Sequence, residues 1–409
     1  MKIWICFLAF VVCAAAADLP QQAYLWQRAW TPAVAEAALA HASSFSEVVL
    51  LSGEVSWNKS HPIWTPTAIR WDVVRQLKTP VGLAFRIDSF PGPFSSCDET
   101  ASALASLAAS AIRAAQTNSV SPCELQIDFD CAASKLDGYA AWLRAFKDTA
   151  APVPIVITAL PSWLDQPAFR HLASSCSAYV LQVHSLHRPR SYDAPFTLCD
   201  PAEAHAAVQR AAKIGVPFRV ALPTYAYLLA FAPDGQFVGL SAEGPSKSWP
   251  ARARLREVWS DPISLAQLVR GWAAERPPAL RGVVWYRLPT EADTLNWRWP
   301  TLDAIVHLRS PRENFHAEAR RVEAGLYDIS LVNDGELDVS SRLAVEVHWQ
   351  GARLAAGDAL RGFELADSNP SSATFHSASP APLRAGSQRN IGWIRLTRDA
   401  EVNLETNKE

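Results

Sequence analysis

The sequence lacks several patterns that mark common classes of protein. It contains no C-x-x-C pair and no cysteine–histidine cluster, which argues against a structural zinc site. No P-loop and no G-x-S-x-G motif is present, so neither Walker-type phosphate binding nor serine-hydrolase chemistry is supported. No second histidine stands at metal-ligand spacing from His184. We therefore expect no metal and no cofactor.

An excess of charge of one sign is also missing. The 409 residues include 38 Lys and Arg against 40 Asp and Glu, for a formal net charge of -2. This balance gives no electrostatic reason to expect nucleic acid or an anionic membrane surface as a partner. After the N-terminal segment, no apolar run is long enough to span a bilayer. The length allows a large core and about two domains.

The N-terminal segment follows the pattern of a secretory signal peptide. Lys2 supplies the positive end, residues 3–12 form the apolar stretch, and residues 15–17 are three alanines. Small residues at this position are typical of a cleavage site. We predict that residues 1–17 are removed after about Ala17 and that the protein is exported to the periplasm or outside the cell.

Removal of this segment leaves five cysteines, an odd number for an oxidising compartment. They are Cys97, Cys123, Cys131, Cys176 and Cys199. Cys97 and Cys131 follow neighbouring predicted strands at the same end, so this pair is the preferred disulfide. A lipid-modified Cys13 is the alternative to simple cleavage, although Val12 is bulky for the preceding position.

Short β-like runs alternate with alanine-rich helical stretches between residue 18 and about residue 309. The predicted strands are 23–28, 48–52, 81–87, 124–129, 155–159, 179–183, 218–222 and 282–286. A strand count of eight, with helices between the strands, predicts an α/β fold of the (β/α)8 TIM-type barrel. A doubly wound open sheet is the competitor, but no Gly-rich phosphate loop follows the first predicted strand.

Two regions depart from this alternation. The connection at about 223–260 is long and contains a hairpin signal around Pro233-Asp-Gly235. An insertion there deepens a cleft at the end of the barrel where active sites are built. Past residue 310 the sequence changes to alternating apolar and polar runs, separated by turns such as Asn333-Asp-Gly335. This predicts a small all-β sandwich domain over 310–409.

The segment 124–130 carries the most informative pattern. Its apolar residues occupy alternate positions, so they form one face of a strand, and Asp128 and Asp130 lie on the other. Two carboxyls about 7 Å apart along a strand, facing the barrel centre, perturb each other's proton affinity. Such a pair is suited to acid–base chemistry on sugars. The alternative is a structural pair that accepts hydrogen bonds from neighbouring loops.

The same alternation, applied to other strand ends, gives further candidates. Acids expected across the barrel are Glu54 and Asp88. The candidates for substrate binding are Arg86, Gln182, His184, Tyr225, Trp285 and Trp57. Polar side chains bind sugar hydroxyls, and aromatic rings stack on the C–H face of a sugar. The predicted partner is therefore a polysaccharide or oligosaccharide; for any single residue, ordinary hydrogen bonding at the barrel rim is the alternative.

The segment Leu125-Gln-Ile-Asp128-Phe-Asp130-Cys-Ala132 is similar to the strand-four acidic motif of the family 18 chitinases. In that motif acids occupy the first, fourth, sixth and eighth positions, and the last, a Glu, is the proton donor. Asp128 and Asp130 match the fourth and sixth positions, while Leu125 and Ala132 replace the others. The insertion and Trp285 also look like features of that family. Without the Glu, the family's substrate-assisted mechanism does not carry over.

Most of the predicted barrel also resembles a family of exported bacterial proteins, the domain of unknown function 3142. The resemblance lies in residues 23–30, 126–139 and 218–225. It implies a glycosidase-like barrel without implying a particular activity.

The leading hypothesis is an exported glycoside hydrolase-like protein that cleaves a glycosidic bond in a polysaccharide with paired carboxylates. Asp130 is the protonated acid, Asp128 raises its pKa by charge repulsion, and Glu54 or Asp88 is the base or nucleophile. The alternative is a non-catalytic glycan-binding barrel that has lost the proton donor, as Ala132 indicates. A third hypothesis is a structural envelope protein that works through the sandwich.

Overall fold

The computed structural model describes residues 19–59, 61–90, 92–94, 99–242, 248–379 and 382–409. Within these residues the N-terminal domain contains strands and helices in the order expected of βα units. The strands are β1 Gln21–Leu25, β2 Glu47–Asn58, β3 His61–Pro66, β4 Val81–Ile87, β5 Leu125–Phe129, β6 Ile155–Ala159, β7 Ala178–Gln182, β8 Phe218–Pro223, β9 Ala226–Phe231, β10 Phe237–Ser241, β11 Arg254–Trp259 and β12 Leu280–Tyr286. The helices are α1 Pro32–His41, α2 Trp71–Val74, α3 Glu99–Thr117, α4 Leu136–Ala150, α5 Pro167–Ser174, α6 Pro201–Ala212, α7 Pro262–Ala274 and α8 Trp299–Val306.

Eight of these strands form a closed parallel barrel, which confirms the predicted fold class. The order is β1-β12-β8-β7-β6-β5-β4-β2, and β2 pairs with β1 to close the cylinder. Every neighbouring pair in this cylinder is parallel. Their carboxyl ends therefore all meet at one rim.

Local sequence signals set the beginnings of several helices. Asp200 accepts hydrogen bonds from the backbone N–H groups of Ala202 (2.8 Å) and Glu203 (3.0 Å), and Pro201 occupies the first turn of α6. Asp261 caps α7 in the same way, with Pro262 in its first turn. An acceptor side chain followed by proline starts a helix sharply, because the proline needs no hydrogen-bond acceptor.

The barrel interior has a polar lower layer and an apolar middle layer. At the amino ends of the strands, the buried Arg219 on β8 binds Glu124 (2.8 and 2.9 Å) and Gln22 (2.8 Å). Gln22 in turn donates to Glu47 at 2.8 Å. Above this layer, apolar side chains fill the cylinder: Val49, Leu51, Ala84, Val156, Val180, Ala221 and Val284. The polar groups of the rim thus stand on a packed interior.

The insertion after β8 is a three-stranded antiparallel sheet of order β10-β9-β11. The hairpin β9–β10 agrees with the sequence prediction, and β11 was not predicted. A second unpredicted strand, β3, pairs antiparallel with the extended end of β2 outside the cylinder. Both additions lie next to the rim and raise its wall.

The C-terminal domain is a sandwich of two four-stranded sheets, as the alternation predicts. Their orders are β13-β14-β19-β16 and β17-β18-β15-β20. The strands are β13 Phe315–Glu323, β14 Leu326–Asn333, β15 Leu343–Trp349, β16 Leu354–Ala359, β17 Phe363–Asn369, β18 Ser372–Ser377, β19 Ser387–Leu396 and β20 Val402–Lys408. Alternate residues such as Val345, Val347 and Trp349 point into a separate core.

Two expectations concern residues outside the described part of the chain. The predicted signal peptide lies there entirely, as does Cys97 of the preferred disulfide. No bond joins the four described cysteines, Cys123, Cys131, Cys176 and Cys199, to one another. Among the described residues, no helix combines the length and the apolarity that crossing a bilayer requires.

Candidate active site

A cavity of about 550 Å³ opens at the carboxyl ends of the barrel strands. We call it the barrel pocket. Its polar lining includes Arg28, Arg86, Asp128, Asp130, Thr158, Gln182, His184 and Ser185, and its aromatic lining includes Tyr24, Trp26, Tyr225, Tyr227 and Tyr286. These residues come from β1, β4, β5, β6, β7, β9 and β12 or from the loops that follow the strands. The structure therefore brings together six of the ten predicted site residues: Asp128, Asp130, Arg86, Gln182, His184 and Tyr225.

Asp128 and Asp130 project into the barrel pocket from the end of β5. Their position follows from the alternation of this strand, because Leu125, Ile127 and Phe129 are fully buried on its outer face. Asp128 accepts a hydrogen bond from the Thr158 hydroxyl at 2.8 Å and faces the Arg86 guanidinium at 3.8 Å. These two contacts hold the Asp128 carboxylate in one orientation.

Asp130 keeps an exposed surface at the pocket, yet protein atoms crowd around its carboxyl group. This loss of hydration raises the pKa of Asp130 to about 7, with a further increase from the negative charge of Asp128. Arg86 acts in the opposite direction and lowers the pKa. A carboxylic acid with a pKa near 7 exchanges its proton at neutral pH, as a general acid must.

Glu54 and Asp88, predicted as base or nucleophile, are not among the residues that line the barrel pocket. Both oxygens of Glu54 accept hydrogen bonds from Arg28, at 2.6 and 2.9 Å, and Arg86 lies 3.7 Å away. Two guanidiniums therefore engage the Glu54 carboxylate, which turns its oxygens toward Arg28 and Arg86. Asp88 is exposed beyond the end of β4, where its backbone N–H donates to the Val55 carbonyl at 2.9 Å.

The predicted aromatic platforms are corrected as well. Trp285 is fully buried on the outer side of β12, and its indole N–H donates to Gln21 at 2.8 Å. Trp57 packs on Phe90 with ring centroids 4.4 Å apart and donates to the backbone carbonyl of Asp88. Neither ring lines the barrel pocket.

Three of the rings that line the pocket lie together at the ends of β1 and β12. Trp26 and Tyr286 lie with ring centroids 5.5 Å apart, and Tyr24 packs against both at 5.0 and 5.8 Å. The signal for Tyr24 and Trp26 was present in the sequence, because they alternate along the predicted strand 23–28. A wall of this kind suits the apolar face of a sugar ring.

A cluster of hydroxyl groups also lines the pocket. Ser185 lies 2.5 Å from the Tyr225 hydroxyl and accepts a hydrogen bond from Tyr227 at 2.6 Å. Ser185 adopts the left-handed backbone conformation, φ 60°, which is uncommon for a non-glycine residue. His184 Nδ1 lies 3.1 Å from the Tyr225 hydroxyl, and burial lowers the pKa of His184 to about 3. Its imidazole is therefore neutral and offers one donor and one acceptor nitrogen.

The described residues contain one group with metal-ligand spacing, and it lies on the sandwich. Glu346, His348 and Glu405 share the outer face of β15 and β20, where His348 pairs with Glu346 at 3.4 Å. None of these three residues lines the barrel pocket.

The fold and the site together define a TIM-type barrel protein with a carboxylate-bearing, aromatic-walled pocket at the carboxyl ends of the strands. The chain belongs to the family described as Domain of unknown function (DUF3142), whose model matches residues 83–291. A second model, Domain of unknown function (DUF8456), matches residues 316–397 in the sandwich. No curated protein matches the chain.

Several solved structures are similar to this chain in fold. One is a chitinase from Chromobacterium violaceum ATCC 12472, with 15% identity, 71% of this chain and 98% of that chain covered, and a TM-score of 0.49. Another is the spore cortex-lytic enzyme SleL of Bacillus megaterium QM B1551, with 13% identity, 71% and 74% covered, and a TM-score of 0.49. A third is the chitinase ChiA74 from Bacillus thuringiensis, with 9% identity, 96% and 100% covered, and a TM-score of 0.47.

Proposed function

We propose that the protein is an exported glycoside hydrolase-like enzyme that cleaves a glycosidic bond in a polysaccharide. The observation that carries the proposal is Asp130, a carboxyl with a pKa of about 7 on the wall of an aromatic-lined pocket. A large fraction of this carboxyl is protonated at neutral pH, so it can donate to a leaving oxygen. The second acid of the pair, Asp128, is held beside it by Thr158 and Arg86.

In this proposal Asp130 donates its proton to the glycosidic oxygen as the bond to the anomeric carbon breaks. The negative charge of Asp128 stabilises the positive charge that develops on the sugar ring. The Asp130 carboxylate then accepts a proton from the attacking water, which restores the acid. Trp26 and Tyr286 hold the ring by stacking, while Tyr225 and Gln182 bind its hydroxyls.

A specific observation favours a second candidate, a glycan-binding barrel without catalysis. Ala132 occupies the position at which the family 18 chitinases carry their proton donor. Glu54, which was expected as base or nucleophile, is engaged by Arg28 and Arg86. Catalysis would then depend on Asp130 and Asp128 alone. If these two acids cannot cleave the glycosidic bond, the protein binds the glycan without cleaving it.

The test is release of reducing ends from a panel of uncharged polysaccharides by the full chain. We expect Asp130→Asn to lower the rate by about 10²–10⁴-fold, the usual contribution of a general acid. Asp165→Asn is the matched control, because Asp165 is exposed and pairs with Arg210 outside the pocket. Activity that survives both Asp130→Asn and Asp128→Asn would reject these assignments. Calorimetric binding with no release over days would select the glycan-binding barrel instead.

Export is a separate part of the proposal, supported by the signal-like residues 1–17. Sequencing the N-terminus of protein recovered outside the cytoplasm tests it. We expect the mature chain to begin near Asp18, and an intact N-terminus on protein retained in the cytoplasm would contradict export.

A further inference from the structure

A second cavity, of about 560 Å³, lies between the barrel and the sandwich. We call it the junction cavity. Its lining includes Trp259, Ser260 and Asp261 from the barrel and Asp338, Ser340 and Arg384 from the sandwich. It is as large as the barrel pocket and shares no lining residue with it. The proposed chemistry does not involve this cavity, and packing between the two domains does not fill it.

A half-buried aromatic ring forms part of its wall. The indole N–H of Trp259 donates to the Glu257 carboxylate at 3.0 Å, which fixes the orientation of the ring. The Arg384 guanidinium lies 4.9 Å from the centre of this ring, held by Asp338 at 2.6 Å and by the Thr294 carbonyl at 2.8 Å. An aromatic surface with a few fixed polar groups is the usual composition of a small-molecule site.

The charge of the lining limits the ligand. Four carboxylates, Glu257, Asp261, Glu313 and Asp338, and one guanidinium, Arg384, line the described part of the wall, and the Lys408 ammonium outside the wall pairs with Glu313. This excess of negative charge disfavours phosphates and uronic acids. The same carboxylates accept hydrogen bonds from hydroxyl groups, and Trp259 offers a flat surface to a sugar ring.

The two cavities are separated by a thin wall. Ser260 lines the junction cavity, and its hydroxyl donates to the backbone carbonyl of Tyr225 at 2.6 Å. Tyr225 lines the barrel pocket from the other side. Trp297, also in the junction cavity, donates from its indole N–H to the Ser260 carbonyl at 3.0 Å. A ligand that contacts Ser260 in the junction cavity therefore contacts the segment that positions Tyr225 in the barrel pocket.

We propose that the junction cavity is a second binding site for an uncharged saccharide, with Trp259 as its stacking surface. This inference rests on the proposed function, because a glycan that reaches the barrel pocket is the ligand available beside it. The excess of carboxylates in the lining favours an uncharged ligand, and the flat Trp259 ring favours a ligand that contains a sugar ring.

Isothermal titration calorimetry and native mass spectrometry of the full chain test the proposal. The probes are hexamers of N-acetylglucosamine and of glucose, with an oligouronate as the charged comparison, and Asp130→Asn prevents turnover. We expect two bound hexamers per chain and none of the oligouronate. Trp259→Ala removes a stacking surface, and Ser340→Trp fills the cavity from the sandwich side, so each should weaken the second event about tenfold or more.

Two further variants separate this proposal from the function of the barrel pocket. Tyr286→Ala should remove the first event only, and Trp71→Ala, on α2 and outside both cavities, should change neither. A single event lost in Tyr286→Ala but unchanged in Trp259→Ala would overturn the junction site and leave the barrel function standing. A single event lost only in Trp259→Ala would keep the junction site and overturn glycan binding in the barrel. Failure of every probe to bind would overturn both.

Thermal unfolding of each variant controls for damage to the fold. If Trp259→Ala lowers the melting temperature more than Trp71→Ala does, Ser340→Trp decides the outcome, because Ser340 is exposed and its replacement removes no buried contact.

Discussion

The proton affinity of Asp130 depends first on its crowded surroundings and then on two neighbours of opposite charge. Asp128 raises the pKa and Arg86 lowers it, and these two side chains also face each other at 3.8 Å. A change in either neighbour should therefore move the proton affinity of Asp130.

Asp128→Asn removes a negative charge beside Asp130, so we expect the pKa of Asp130 to fall below its present value of about 7. Activity that requires the protonated acid is lost as the pH rises through this pKa, and in the variant the loss should move to lower pH. Carbon-13 titration of the carboxyl, assigned by comparison with Asp130→Asn, measures the pKa without relying on activity.

Arg86→Met is the matching change of opposite sign and should raise the pKa of Asp130. Titration curves that coincide for the two variants and the unchanged chain would show that Asp130 is not coupled to these neighbours.

Glu47 makes stability depend on pH at the opposite end of the barrel. Burial, followed by repulsion from Glu124, raises its pKa from 4.5 to about 7, while Arg219 opposes the increase. The folded protein thus binds this proton more tightly than the unfolded chain. The stabilisation is complete below about pH 4.5 and is lost as the pH rises through about 7.

Glu47→Gln should therefore flatten the decline in the free energy of unfolding between pH 5 and pH 8. Guanidinium unfolding at several pH values measures it, and Glu36→Gln, an exposed residue on α1, is the control. An unchanged slope in Glu47→Gln would mean that other groups cause the decline.

At the scale of secondary structure, the lower polar layer joins strands that are distant in sequence. Arg219 on β8 contacts Gln22 on β1, Glu47 on β2 and Glu124 just before β5, and all four residues are buried. Through Gln126, which donates to Glu124 and accepts from Tyr24, this layer reaches the lining of the barrel pocket. The Arg219 guanidinium thus offsets the repulsion between Glu47 and Glu124.

Arg219→Met should destabilise the fold by about 3–5 kcal/mol, because it leaves two carboxyl groups buried without their cation. Arg320→Met is the comparison, since Arg320 is exposed and pairs with Asp328 at 2.8 Å on the sandwich. Its cost should stay below about 1 kcal/mol. Denaturant unfolding measures both, and equal losses would contradict the role assigned to the polar layer.

The orientation of a strand could be predicted from the sequence only where the strand has two unlike faces. On β5 the two aspartates mark the inner face, so Asp128 and Asp130 were placed in the pocket correctly. On β12 the run Val283-Val-Trp-Tyr286 is apolar on both faces, since each face is covered by protein. The prediction therefore chose Trp285, although Tyr286 is the residue that lines the pocket.

Contacts between strands that are distant in the sequence could not be predicted either. The charged ends of β2 and β4 suggested free acids at Glu54 and Asp88, whereas the fold brings Arg28 from β1's end onto Glu54. That contact depends on the closure of the barrel by β1 and β2, which no local pattern describes. The edge strands β3 and β11 were missed because neither segment alternates strictly between apolar and polar residues.

At the scale of the whole molecule, the change of pattern near residue 310 predicted a second domain, but not how that domain is attached. Glu336 of the sandwich accepts hydrogen bonds from Arg309 (2.6 Å) and from the backbone N–H of Arg312 (3.0 Å). The Thr301 hydroxyl on α8 donates to the Glu336 carbonyl at 2.5 Å. These contacts, with those of Arg384, hold the walls of the junction cavity at a fixed separation.

Glu336→Ala removes the carboxylate contacts to Arg309 and Arg312 and should cost about 1–2 kcal/mol, since hydrogen bonds to charged groups exceed neutral ones. Because the lost contact with Arg309 joins the two domains and both cores stay intact, the loss should appear as a separation of two unfolding transitions in calorimetry. Glu364→Ala, on an exposed part of β17, is the control and should leave the profile unchanged. A single transition shifted equally in both variants would mean that Glu336 stabilises the sandwich itself, so that the separation of the cavity walls must depend on Arg384 and its contacts with Asp338 and Thr294.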